Sequence, residues 1–230
     1  MKILAIETST RNLSIAVADE NSILAEYKGD SVLRHSQDLI PNIEILLKKT
    51  GLGLADIDCF AVSIGPGSFT GLRVGVSIIK GLNMVTNIPI VTVPTLDVIA
   101  CNVLDTPTPI CVILDAKKKN IYSSLYRVKD GDIIRTWDYL LVPPDELIER
   151  IDDKDEEILF LGDAISFYGD LIRERLKNAK LADRKYWFPD AKRVARLGRN
   201  KFKRREFEDA DGLVPMYMYS RECNVRGIDR

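Results

Sequence analysis

The sequence predicts a two-lobed α/β protein made by duplicating a βββαβα unit. Three observations lead there. Strand alternation and helical periodicity occur in the same order twice, before and after residue 105. The first strand of each series ends in an acid, Glu7 and Asp115, which lie 108 residues apart. The later strands, ending at Ile64 and Leu161, are separated by a similar 97.

In the first series Lys2–Glu7 is a buried strand, Leu13–Ala18 a second and Ile23–Lys28 a third, with Asp19-Glu20-Asn21 as the turn. Residues 36–49 place Leu39, Ile40, Ile43, Leu46 and Leu47 on one broad face, the spacing of an amphipathic helix. Pro41 must fall in its first turn or kink it, because proline removes an intrahelical hydrogen bond, and Gly51 ends it. Phe60–Ile64 is a short strand, residues 72–86 a second helix and Ile90–Val93 another strand.

The second series repeats the pattern. Ile110–Asp115, Ile121–Val128 and Ile133–Leu141 read as strands, with Asp130-Gly131-Asp132 as a hairpin turn. Asp145–Ile151 is a short helix, Ile158–Leu161 a strand, and a helix follows near Phe167–Lys177. Asp105-Thr106-Pro107-Thr108-Pro109 is the expected linker, giving lobes 1–105 and 106–230, the second with a basic C-terminal helix and tail.

Two such units facing each other form the actin-like (ASKHA), or ribonuclease H-like, architecture. In it the acid-ended first hairpin of each lobe points into a central cleft, where nucleotide phosphates and Mg²⁺ would lie. Glu7 and Asp115 are cleft candidates on that reading. A simpler account stays open, since acids are depleted inside strands and common just beyond them.

Composition narrows the function classes. Lys and Arg number 33 against 34 Asp and Glu, so a uniformly basic nucleic-acid binder is excluded. The longest uncharged stretch, residues 81–96, contains Pro89 and Pro94 and falls short of the roughly 20 apolar residues that span a bilayer. Glu7 ends the N-terminal apolar run before a signal-peptide core forms, so the expected compartment is cytoplasmic. Four cysteines show no C-x-x-C pair, and one histidine, His35, cannot build a two-histidine metal site. No catalytic metal is expected.

Gly65-Pro66-Gly67-Ser68-Phe69-Thr70-Gly71-Leu72-Arg73 joins a buried strand to a helix. Its N–H groups would stand at a helix N-terminus, a natural anion site. It is neither a Walker A loop nor G-x-G-x-x-G, and a tight strand-to-helix turn explains it equally well. The following helix is apolar almost all round. Leu72, Val76, Ile79 and Asn83 form one stripe, Val74, Ile78, Leu82 and Val85 the opposite one, and only Arg73 and Lys80 are charged. Such a helix is buried on both faces, which predicts a protein partner. The expected surface comprises Ser36, Leu39, Ile43, Leu46 and Leu47 with Leu72, Arg73, Val76, Ile79, Lys80 and Asn83; without the partner, the same patch would pair with itself as a homodimer. Residues 184–205 carry a net +9, the rest of the chain −10. Arg193, Arg196, Arg199, Lys203 and Arg204 are therefore candidates for a polyanion or an acidic partner, or simply for a solvated helix face.

As a specific string, Gly65–Arg73 carries more. Together with Ile6-Glu7-Thr8-Ser9-Thr10, Arg34-His35-Ser36-Gln37, Ile113-Leu114-Asp115-Ala116-Lys117 and Pro215-Met216-Tyr217, it resembles the bacterial TsaB (YeaZ) family over nearly the whole chain. The resemblance implies an actin-like, noncatalytic scaffold subunit in making the threonylcarbamoyl modification on the tRNA adenosine next to the anticodon. It implies a catalytic TsaD-type paralogue and a TsaE-type ATPase as partners. Glu7, Thr8, Ser9, Gly65, Pro66, Gly67, Ser68, Thr70, Gly71 and Asp115 would be cleft loops, and nucleotide would bind only at an interface shared with the complex. The sister family holds its metal with two histidines after the strand matching Ile90–Val93; here Pro94–Ala100 has none. Two departures stand out: Gly162-Asp163-Ala164 is one glycine short of the usual G-D-G-A turn, and Asp115-Ala116-Lys117 replaces Asp-Ala-Arg. An actin-like ATPase or small-molecule kinase using Glu7 and Asp115, or a peptidase, are the competing readings, the last opposed by the missing histidines.

Overall fold

A computed structural model describes residues 1–29, 35–151 and 156–219. The side chains of His35 and Ser36, and Cys223, lie outside the described residues. In chain order the first series is β1 (Ile3–Glu7), β2 (Leu13–Ala18), β3 (Ile23–Gly29), α1 (His35–Thr50), β4 (Cys59–Ser63), α2 (Phe69–Thr86), β5 (Ile90–Val93) and α3 (Thr95–Ala100). The second is β6 (Ile110–Asp115), β7 (Ile121–Lys129), β8 (Asp132–Arg135), β9 (Leu140–Val142), α4 (Pro144–Ile151), β10 (Ile158–Leu161), α5 (Ile165–Arg175) and β11 (Ala179–Leu181), followed by α6 (Ala191–Lys203).

The duplication is complete. One sheet runs β3-β2-β1-β4-β5 and the other β8-β7-β6-β10-β11, so β11 is the counterpart of β5. Both first hairpins close on their acids, Glu7 opposite Ser14 and Asp115 opposite Ile121. The single strand expected over Ile133–Leu141 is instead two, β8 and β9, both on β7. The Leu125 carbonyl accepts the N–H groups of Thr136 and Trp137, at 2.8 and 3.3 Å, which breaks the ladder between them. Pro41 sits inside α1 rather than in its first turn.

The first sheet shows why strand alternation was informative. Leu4, Ile6, Leu13, Ile15, Val17, Phe60 and Val62 face α1 and α2. The opposite face is smaller: Ala5, Ala16, Ala18, Cys59 and Ala61, with Val91 and Val93, pack against Val194 and Ala195 of α6. Those small side chains let α6 lie close, and a Cβ at Gly198 would stand 2.7 Å from Ala61 Cβ. Asp190 caps α6 by accepting the Arg193 N–H at 3.0 Å.

This packing corrects the expected lobe boundary. The chain folds as one unit of Met1–Val98 with Pro189–Met216, and another of Ile99–Phe188 with the stretch from Tyr217. The basic helix thus belongs to the first unit, not to a lobe 106–230, because its apolar face complements the alanine face of the first sheet.

Candidate functional site

The end of β1, the loop Gly65–Gly71 and the start of α2 form one buried knot. Glu7, Thr8 and Ser9 are all buried. Glu7 Oε1 accepts the Ser9 N–H at 2.5 Å, and Ser9 O accepts the Ser68 N–H at 2.6 Å. Thr95 N–H reaches Gly65 O at 2.8 Å, and Met216 N–H reaches Ile64 O at 2.7 Å. Pro66 follows a cis peptide bond. A Cβ on Gly71 or Gly75 would meet Thr8, so these glycines are what allow α2 to approach the β1 turn. Thr70 is exposed on the first turn of α2.

Burial pushes the Glu7 carboxyl up to about 7, against the lowering hydrogen bond from Ser9. Glu7 Oε2, Thr8 Oγ1 and Ser9 Oγ are buried without a hydrogen-bond partner. Of the backbone N–H groups that could hold a nucleotide phosphate here, three are already engaged. The Ser68 N–H is taken by Ser9, Gly71 N–H by the Ser68 hydroxyl at 3.3 Å, and Leu72 N–H by the Ser68 carbonyl.

In the second unit, Asp115 N–H donates to Asp163 Oδ1 at 3.0 Å, and Lys117 Nζ pairs with Asp115 at 2.6 Å. Burial first, then the Asp115 charge, raises the Asp163 carboxyl. Lys117, Lys118 and Lys119 all have positive φ, each costing roughly 1–2 kcal/mol for a residue with a side chain. Among the described residues no group of three His, Cys, Asp or Glu could hold a metal ion, and no helix is long and apolar enough to cross a membrane.

The helix pair presents a different stripe from the one expected. Leu39, Ile43, Leu46, Leu47, Val76 and Ile79 are buried against their own sheet, because their alternation partners on β1, β2 and β4 face the same way, and Leu72 is buried beside the Gly65 turn. Asn83 terminates α2 internally, donating to the Ile88 carbonyl at 2.9 Å. Lys80 reaches the carbonyls of Asp211 and Leu213 at 3.1 and 3.4 Å. Arg73 stays on the exposed side, its guanidinium 3.6 Å above the Phe69 ring. What faces outward is Ile40 and Ile45 on α1, with Ser77, Gly81, Met84 and Val85 on α2; Met84 is 80% and Val85 77% exposed.

The basic helix is largely engaged within its own unit. Lys192 pairs with Glu26 at 2.9 Å, Arg193 and Lys28 with Asp190 at 3.8 and 3.5 Å, and Arg199 donates to the Glu20 carbonyl. Glu206 pairs with Arg204 at 3.7 Å, while Arg196 lies partly buried and Lys203 exposed. Sequence reasoning missed two features, the left-handed lysine turn and the buried, unpaired hydroxyls of Thr8 and Ser9.

Comparison with known proteins supplies the lineage. The family described as TsaD, tRNA N6-adenosine threonylcarbamoyltransferase, matches residues 19–224. The tRNA threonylcarbamoyladenosine biosynthesis protein TsaB of Bacillus subtilis (strain 168) is 32% identical over 230 residues, covering 100% of this chain and 99% of that one. A crystal structure of a Pseudomonas aeruginosa protein with similarity to peptidase YeaZ superposes with a TM-score of 0.83 at 24% identity, over 95% of this chain and 99% of that one. The activator of 2-hydroxyisocaproyl-CoA dehydratase from Clostridium difficile, with bound ADPNP, gives 0.50 at 11% identity, over 91% and 99%. With two duplicated sheets of this topology the architecture is actin-like, and the full-length match completes the assignment: the chain belongs to the TsaB (YeaZ) family of tRNA threonylcarbamoyladenosine biosynthesis proteins.

Proposed function

We propose that this chain serves threonylcarbamoylation of the tRNA adenosine next to the anticodon as a noncatalytic scaffold subunit, in the cytoplasm. It pairs with a TsaD-type catalytic paralogue and brings in a TsaE-type ATPase. The observation that carries the reading is the outward stripe of the α1–α2 pair. Ile45, Met84 and Val85 are more than half exposed, and Gly81 leaves open space where a Cβ would stand. An actin-like paralogue offers an equivalent helix pair, so the two pairs pack as a pseudo-twofold bundle. The same stripe joins two copies of this chain when the paralogue is absent.

The engaged N–H groups of Ser68, Gly71 and Leu72 support the view that nucleotide is not held in the first unit alone, but only at an interface shared with the complex. They speak against the ATPase or kinase alternative for the same reason. Calorimetric titration with the TsaD-type paralogue from the same source tests the assembly. Val85→Glu, which leaves the core untouched, is expected to weaken association at least tenfold while the chain melts normally. Wild-type affinity in that variant would remove the bundle.

A further inference from the structure

The face of the first sheet that receives α6 is apolar along most of its length and polar at one end. Along β1, Ile3 and Ala5 belong to that face, and Glu7 is the next residue on it. On one side Glu7 stands opposite Ser14 of β2. On the other, Ala5 pairs with Ala61 of β4, and Ser63 is the next residue of β4 on the same face. Ser63 Oγ lies 3.0 Å from Thr95 Oγ1 at the start of α3, and Ser9 sits in the turn after β1. Glu7, Ser63 and Thr95 are fully buried, and Ser9 is 1% exposed.

This polar end holds one carboxyl and no cation of the chain to balance it. Glu7 Oε1 accepts the Ser9 N–H, while Glu7 Oε2 and Ser9 Oγ are buried without a hydrogen-bond partner. Burial disfavours the Glu7 charge and the hydroxyls of Ser9 and Ser63 favour it; no basic side chain among the described residues adds to them. The other acid nearby, Asp190, is already engaged, capping α6 and pairing with Lys28 and Arg193. Ser14 Oγ is taken by the Ala191 N–H at 2.8 Å. Thr8 Oγ1, the third unpaired atom, is directed at α2, where a Cβ on Gly75 would meet it. Ser63 and Thr95 share one hydrogen bond, and each hydroxyl keeps an acceptor lone pair.

We infer that Glu7 Oε2 and the hydroxyls of Ser9, Ser63 and Thr95 bind a monovalent metal cation, sodium or potassium. A buried charge is stable when it is paired or coordinates a metal, and one positive charge cancels the one carboxylate. Magnesium keeps several waters and is held by carboxylates together with phosphates, and calcium takes about six to eight oxygens. Either would leave a net charge buried among four side chains. The ion ties β1, its turn, β4 and α3 together. Ser9 also accepts the Ser68 N–H at 2.6 Å, and Ser68 caps α2, so the same ion steadies the turn from which α2 starts.

The test is urea titration of the full chain at pH 8 and constant ionic strength, in choline chloride, sodium chloride and potassium chloride. The wild type is expected to unfold at higher urea in sodium or potassium than in choline. At saturation its unfolding constant should fall about tenfold for each tenfold rise in the bound ion. Glu7→Gln keeps the shape of the side chain without its charge, and should abolish the difference between salts. Ser9→Ala keeps the carboxylate but removes one oxygen, and should move the response to about tenfold higher ion concentration. Equal midpoints in the three salts would leave water on these oxygens and overturn the site, as would an undiminished response in Glu7→Gln. Should Glu7→Gln fail to fold, an unshifted response in Ser9→Ala overturns it instead. If a few millimolar magnesium chloride reproduced the effect in wild type and not in Glu7→Gln, the monovalent assignment would be wrong.

Discussion

Gly75 and Gly81 occupy the same helix and should answer the same substitution with opposite signs. At Gly81 an added Cβ meets nothing within 4 Å. Gly81→Ala therefore gains only the helix-propensity difference, about 0.8–1.0 kcal/mol. In a chain of 230 residues that raises Tm by about 2–4 °C. At Gly75 the same Cβ would press on Thr8 Oγ1 and lie 3.5 Å from Thr8 Cβ, and Thr8 is buried on the β1 turn with no room to retreat. Overpacking of this kind costs about 1–3 kcal/mol, which exceeds the propensity gain. Gly75→Ala should lower Tm by up to about 8 °C. Circular-dichroism melting of the two variants beside wild type decides the matter. If both rise, α2 is not packed on the β1 turn as described; if Gly81→Ala falls, position 81 is buried, by the chain itself or by the second copy that the same stripe would join.

Val76→Glu places a charge in the buried face of α2 and should unfold the isolated chain, unlike Val85→Glu on the same helix; comparing their melts separates own-sheet from partner burial. Glu7 sets a pH dependence. Its folded value is raised from 4.5 to about 7, so between those values the folded state keeps a proton the unfolded state has released, and stability falls as pH rises. Glu7→Gln should flatten that fall, worth about 3 kcal/mol, in denaturant titrations from pH 4.5 to 8; a stability that rises over this range in wild type would contradict the burial argument. Arg127 and Glu156 form a bidentate pair at 2.9 and 2.6 Å on the surface, and Arg127→Ala should change stability by less than about 1 kcal/mol in the same titrations.

The strands and helices of the duplication were legible because each buries one face, and burial writes a period into sequence. Glu7 and Asp115 could be paired as equivalents for that reason, and both close their hairpins. The outward stripe of α2 was not legible. With apolar residues nearly all round, periodicity offers two candidate faces, and only the partner strands decide between them. The placement of α6 on the first sheet was hidden differently. Its apolar residues say that it packs, but the complement is a flat alanine face nearly 100 residues or more away in sequence. β11 spans three residues, too few for alternation to register. The left-handed lysine turn had no signal at all, since lysine does not announce positive φ as glycine does.

The most direct test of the central claim is an omission series in vitro. Purified chain, TsaD-type paralogue, TsaE-type ATPase, unmodified tRNA and a threonylcarbamoyl donor are combined, and threonylcarbamoyladenosine is quantified by mass spectrometry after digestion of the tRNA. A scaffold subunit predicts modification with all three proteins, loss when this chain is left out, and none when it is the only protein present. Modification by this chain alone, or undiminished modification without it, would contradict the account.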